Sequence, residues 1–197
     1  MRTIAVLAAL ASVLVLSGCN EKTAEAPPPP YELTANAIGN YCGMNVLEHA
    51  GPKAQIILAS LIEPLWFSSA RDAFSFTMLP EEPKDIRAIY VSDMGKARSW
   101  DEPGPNNWVD AKKAFYVLGS NRKGGMGADE TVPFSENSAA EKFAAENGGR
   151  VITFAEVPRD YVLGGGGGKT SSVENAPAAQ KHDHGSSHTE HKAKTAH

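Results

Sequence analysis

From residue 35 to residue 163 the apolar and polar positions fall into short blocks, and the period changes from one block to the next. AQIILASLIEPLWF (54–67) carries runs of adjacent apolar residues and reads as a strand region. SSARDAFSFTML (68–79) sets Ala70, Ala73 and Phe74 at helical spacing, and IRAIYVSD (86–93) returns to a strand. The pattern then recurs. KAFYVLGSN (113–121) and TVPFS (131–135) read as strands. ENSAAEKFAAENGG (136–149) reads as a helix bearing Ala139, Phe143 and Ala144 and stopped by glycine, and RVITFAEV (150–157) as a closing strand. The serines in WFSS and PFSENS stand where N-caps are expected. With 42–48 taken as the opening strand of the first half, both halves run β-β-α-β. The expected fold is therefore α+β, with a core at 35–163 built from two related half-units near 35–95 and 108–163. The stretch between them, DMGKARSWDEPGPNNWVDA, is rich in turn formers and reads as loop.

Neither end continues this pattern. The first 18 residues have a basic start at Arg2 and an apolar run over 4–16, too short to span a bilayer and ending in small residues, as in an export signal. The terminal LSGC resembles the bacterial lipobox, which implies that Cys19 becomes an acylated N-terminus anchoring the chain to a membrane. Asn20 after it favours the outer membrane. Residues 19–34 are polar and proline-rich, and the prolines at 27–30 favour an extended spacer. Some fifteen such residues would reach about 50 Å. From residue 164 the chain turns to glycine and then to a histidine-bearing tail with no apolar periodicity, which reads as disordered. A net charge of −4 with mixed signs and no basic stripe argues against a nucleic-acid partner.

Lipidation changes the cysteine arithmetic. The chain has two cysteines; if Cys19 carries lipid, Cys42 is left unpaired in an oxidising compartment where thiols normally pair. It sits in NYCGMNVLEHAGPK, one residue from Met44. On a strand the two would share a face, roughly 6.5 Å apart, with Gly43 free to bend the backbone around a common atom. Thiolate and thioether are soft donors that select Cu(I) over harder ions. From the pattern alone, Cys42 as a small buried hydrophobe and Met44 as core filler read equally well. Met126, flanked by glycines in KGGMGADE, has little regular structure to pack into and is a candidate third donor. His49 is the runner-up. It is the lone histidine between residues 35 and 163, and strand parity would turn it away unless the EHAGPK turn brings it back. Met94 is a more distant candidate, and Met78 reads as core. The tail histidines His182, His184, His188, His191 and His197 suit low-affinity capture of divalent metal, with no required role.

The longer motifs resemble a known family. CGMNVLEHAGPKAQI, WVDAKKAFYVLGSN from Trp108 and GGMGADETVPFSENSAAEKFA, with the lipobox, are similar to the signature of the NosL lipoproteins. The resemblance implies two β-β-α-β units and a periplasmic Cu(I) chaperone, not an enzyme, serving the copper centres of nitrous oxide reductase. It implies Cys42 as thiolate and Met44 as thioether ligand. Its implied partners are the reductase NosZ and the ABC-type complex NosDFY. Trp100 and Trp108 read either as part of a docking face or as core anchors. A thiol enzyme would need a second cysteine or a base beside Cys42, and the core offers only His49. Passive copper storage is the remaining alternative.

Overall fold

AQIILASLIEPLWF does not form one strand; it folds back on itself. In a computed structural model, which describes residues 26–164, β1 (Ala54–Leu58) and β2 (Leu65–Phe67) form an antiparallel pair. Helix α1 (Ala70–Met78) follows, and β3 (Ile86–Ser92) returns to pair with the other edge of β1. A short β4 (Trp108–Asp110) extends this sheet, giving the order β2-β1-β3-β4. The second half repeats the plan. β5 (Phe115–Lys123) is flanked by β6 (Asp129–Phe134) and β7 (Arg150–Thr153), both antiparallel, with α2 (Asn137–Asn147) between them in sequence. The order β6-β5-β7 matches β2-β1-β3, so the fold is two related β-β-α-β units.

The duplication is real, but its first strand differs from expectation. Residues 42–48 are not a strand. Gly43 lies at φ +66°, in the left-handed region that ends extended structure. The Asn45 side chain accepts from the Leu47 N–H and starts a 3-10 turn over Val46–Glu48. The two-strand opening of the first unit comes instead from the β1–β2 hairpin.

One core lies between the halves. Ala54, Ile56 and Leu58 of β1, Ile89 and Val91 of β3, and Ala70, Ala73, Phe74 and Phe76 of α1 pack with Tyr116, Leu118 and Ile152 of the second sheet. Phe74 stands edge-on to Tyr116, with centroids 5.0 Å apart, and stacks on Phe154 at 4.8 Å. The opposite face of β5 and β6 packs Val117, Val132 and Phe134 under α2, whose Ala140 is its buried residue. RVITFAEV holds its strand only to Thr153, then turns through a 3-10 segment with a Thr153–Glu156 capping box into α3 (Arg159–Leu163), which sequence pattern did not predict. Helix α2 is capped by the backbone of Glu136 rather than by a serine, and Ser69 precedes α1 without a capping side-chain bond.

The proline-rich segment is fastened down earlier than a free spacer would be. The Tyr90 hydroxyl donates to the Pro28 carbonyl (2.6 Å). The buried Gln55 amide both accepts from the Tyr31 N–H (2.8 Å) and donates to the Tyr31 carbonyl (2.9 Å). Leu33 is buried beside Ala37 and Val46. The extended reach expected of residues 19–34 is therefore shortened by the length that lies against β1 and β3. The export signal, Cys19 and the tail histidines lie outside the described residues.

Candidate metal centre

The loop 39–44 closes on itself: the Gly43 N–H donates to Gly39 (2.8 Å), and the Gly39 N–H to Met44 (2.9 Å). This tight turn lifts Cys42 to its crest, half-buried. The thiol points inward. Its Sγ lies 3.6 Å from Ser68 Oγ, 3.9 Å from the Met44 carbonyl oxygen and 4.0 Å from His49 Nε2. Gly39 makes the position available, because a Cβ there would stand 2.5 Å from Sγ.

The 3-10 turn decides where His49 goes. A strand would have sent it to the far side; one helical turn after Asn45 brings its ring back toward the thiol, with the side chain 8% exposed. Bonds to a late first-row metal run about 2.3 Å from thiolate and about 2.0 Å from imidazole. Their sum slightly exceeds the observed separation, so an ion fits between the two donors with little movement.

The thioethers are arranged differently. Met44 meets the thiol through its carbonyl, and its side chain is 40% exposed. Met126 is 59% exposed on the glycine loop joining β5 to β6. That loop rests directly on the histidine segment: a Cβ on Gly125 would stand 2.5 Å from His49 Cβ and 3.0 Å from the Ala50 backbone. The structure thus brings Cys42 and His49 together and places the loop of Met126 alongside, with both methionine side chains turned to solvent. Met94 packs under α2, and Met78 against the central core. Among the described residues, no three His, Cys, Asp or Glu side chains converge to hold a metal. The thioethers on the loops around this pair are Met44, in the Cys42 turn, and Met126, in the loop that rests on His49.

Neither tryptophan of the connecting loop is free. Trp100 stacks on Phe143 with centroids 6.2 Å apart, donates to the Lys123 carbonyl (3.1 Å) and accepts the Gly51 N–H on its own carbonyl (2.8 Å). Arg122 lies over its ring. It therefore ties the segment after His49 to the end of β5, just before the Met126 loop. Trp108 packs on Trp66 beneath the Cys42 loop.

Two buried charges behind His49 escaped the sequence reading. Lys53, 1% exposed, donates through Nζ to the His49 carbonyl. Burial pulls its ammonium down to about 8, against the favourable field of Glu130 and Asp101. Glu130, also 1% exposed, accepts at Oε1 from the Arg71 N–H (2.9 Å) in the first turn of α1 and from the Thr131 N–H (2.8 Å). Burial pushes this carboxyl up to about 7, although the two N–H groups and the Ser69 hydroxyl favour its charged form. The sole available signal was a charged residue inside each apolar block, GPKAQIIL and DETVPF. Charge in sequence ordinarily means surface.

The sequence model of NosL matches residues 30–162. The chain belongs to the NosL family. It is 48% identical over 164 residues to the copper-binding lipoprotein NosL of Achromobacter cycloclastes, covering 83% of each chain. It is 32% identical over 143 residues to the copper-binding lipoprotein NosL of Stutzerimonas stutzeri, covering 72% of this chain and 73% of that one. The crystal structure of the copper chaperone NosL from Shewanella denitrificans superposes with a TM-score of 0.63 at 30% identity. It covers 68% of this chain and 98% of that chain, so the two β-β-α-β units are the family's fold.

Proposed function

We propose that this NosL protein is a lipid-anchored Cu(I) carrier on the periplasmic face, held there through Cys19 and delivering copper for assembly of nitrous oxide reductase. The observation that carries the reading is the 4.0 Å approach of Cys42 Sγ and His49 Nε2 beside the glycine loop that bears Met126. A thiolate and a neutral imidazole supply two donors, the thiolate cancels the single charge of Cu(I), and soft sulfur favours that ion over harder ones. Met44 and Met126 are the thioethers able to turn in from solvent and complete the shell. The copper-binding names of the relatives support the same reading.

The copper is cargo, so release matters as much as capture. Exposed thioethers suit that need: an incoming donor of the acceptor displaces one while Cys42 still holds the ion. The thiol must lose its proton on loading, and binding therefore releases acid. The acceptors on this reading are NosZ and the NosDFY complex, met at a membrane surface that confines both parties. The membrane is the outer one, by the Asn20 signal.

Anaerobic Cu(I) titration against a competing chelator tests the site. Cys42→Ser, Met44→Ala and His49→Ala should each weaken binding at least about tenfold, Met126→Ala by less, and deletion of the tail from residue 165 hardly at all. An X-ray absorption spectrum of the loaded protein with nitrogen and oxygen neighbours alone would refute the sulfur site. Transfer of the bound ion to copper-free NosZ or NosDFY separates delivery from storage.

A further inference from the structure

Three segments form the candidate centre: the Cys42 turn with its His49 neighbour, the start of α1 beside Ser68, and the Gly124–Gly127 loop bearing Met126. They come from both halves of the fold, and no regular hydrogen-bond ladder connects all three. Beneath them lie Lys53 and Glu130. Lys53 Nζ donates to the His49 carbonyl. Glu130 Oε1 holds the Arg71 N–H at the first turn of α1, three residues from Ser68. Its Oε2 lies where a Cβ on Gly124 would meet it at 2.8 Å. The next residue, Gly125, rests on His49. Two charges of opposite sign, each 1% exposed, thus reach one region and touch all three segments.

We propose that Lys53 and Glu130 are positioning residues for copper: a buried charge pair that sets the His49 segment and the Met126 loop at the spacing the ion requires. The inference rests on the copper reading of Cys42 and His49 and deepens it.

Two buried opposite charges are a poor device for stability alone, since apolar residues of similar volume usually serve as well or better. Their use is directional. The ammonium fixes one carbonyl of the His49 segment. The carboxylate fixes the start of α1 through one oxygen and leaves the other against the loop backbone. Asp72, whose field reaches Glu130, and Asp101, whose field reaches Lys53, are the further charged groups that act on the two.

The test uses the paired replacement Lys53→Met with Glu130→Gln, which removes both charges and strands neither. It should fold, melt no lower than the parent protein at pH 7.5, and bind Cu(I) about tenfold or more weakly in chelator competition. A merely structural role would lower melting and leave affinity alone. Retained affinity in the folded double variant overturns the proposal. Gly124→Ala offers a second route, since its new methyl displaces Glu130 Oε2 from an outer loop. Several-fold weaker binding with unchanged melting supports the assignment, and unchanged binding opposes it even if the double variant fails to fold. Cys42→Ser is the control. If it binds copper as the parent does, the site reading itself falls; if it loses copper while both positioning variants keep it, this inference alone falls.

Discussion

The reach of the Cys42 thiol toward His49 depends on one missing methyl group. Gly39 has ordinary negative φ and is not required by backbone conformation; it is required by space, because Sγ occupies the volume a Cβ would enter. Gly39→Ala should leave the fold intact, since a cysteine side chain can rotate away at the cost of its contacts with Ser68 and His49. The thiol would then face solvent. Cu(I) affinity should fall roughly tenfold, about 1.4 kcal/mol, with near-parental melting. Chelator competition on the variant checks it, and parental affinity would show that the thiol's present rotamer is not the one that binds. Gly43 plays the separate conformational part: its positive φ turns the chain that a strand reading had carried straight on.

At the scale of elements, the clamp of Gln55 on Tyr31 shows how β1 organises more than its own sheet. Gln55→Ala would leave the Tyr31 N–H and carbonyl without their protein partners. The exposed setting of Tyr31 lets water replace part of the loss, so about 1 kcal/mol of stability should go. The segment before Leu33 should also become open to proteolysis; a cleavage rate matching the parent's would mean that Leu33 and Tyr90 hold it unaided. Elements of this kind were unevenly legible in sequence. α1 was readable because it buries one regular stripe, as Ala73 and Phe74 show, and β1 and β6 because their apolar runs are buried nearly throughout. Residues 42–48 were misread because Val46 and Leu47 supply apolar character over too few positions to separate a strand from a 3-10 turn, and the cap from Asn45 decides between them. The nearness of His49 to Cys42 follows from that turn, so it was named as a candidate but not located. Lys53 and Glu130 were not named at all, because long-range packing that buries a charge leaves no local period.

For the molecule as a whole, the junction of the two halves contains a cost that pH can expose. Glu130 titrates near 7 in the folded protein and at an ordinary carboxylate value, about 4.5, when unfolded. The native state therefore holds the extra proton between those values, and this group's contribution declines as pH rises from about 4.5 to 7. Lys53 is displaced the other way, to about 8 from 10.5, so the native state holds fewer protons above 8 and its contribution recovers as pH rises toward 10.5. The window in which both groups are charged, about 7 to 8, is where burial of the pair weighs most on folding. Asp93, held below the usual range by Ser135, Lys96 and the Gly95 N–H, works in the opposite sense and is lost only in acid, below the window concerned. Chemical denaturation of the copper-free protein from pH 5 to 10 should thus show a shallow minimum near neutrality. Removing both charges by Lys53→Met with Glu130→Gln should raise that minimum and flatten the profile. A parent protein whose stability climbs steadily from pH 5 to 8 would mean that the pair forms at no net cost. In that case its place beneath the Cys42 turn and the Met126 loop is explained by stability alone, without any appeal to placement of an ion.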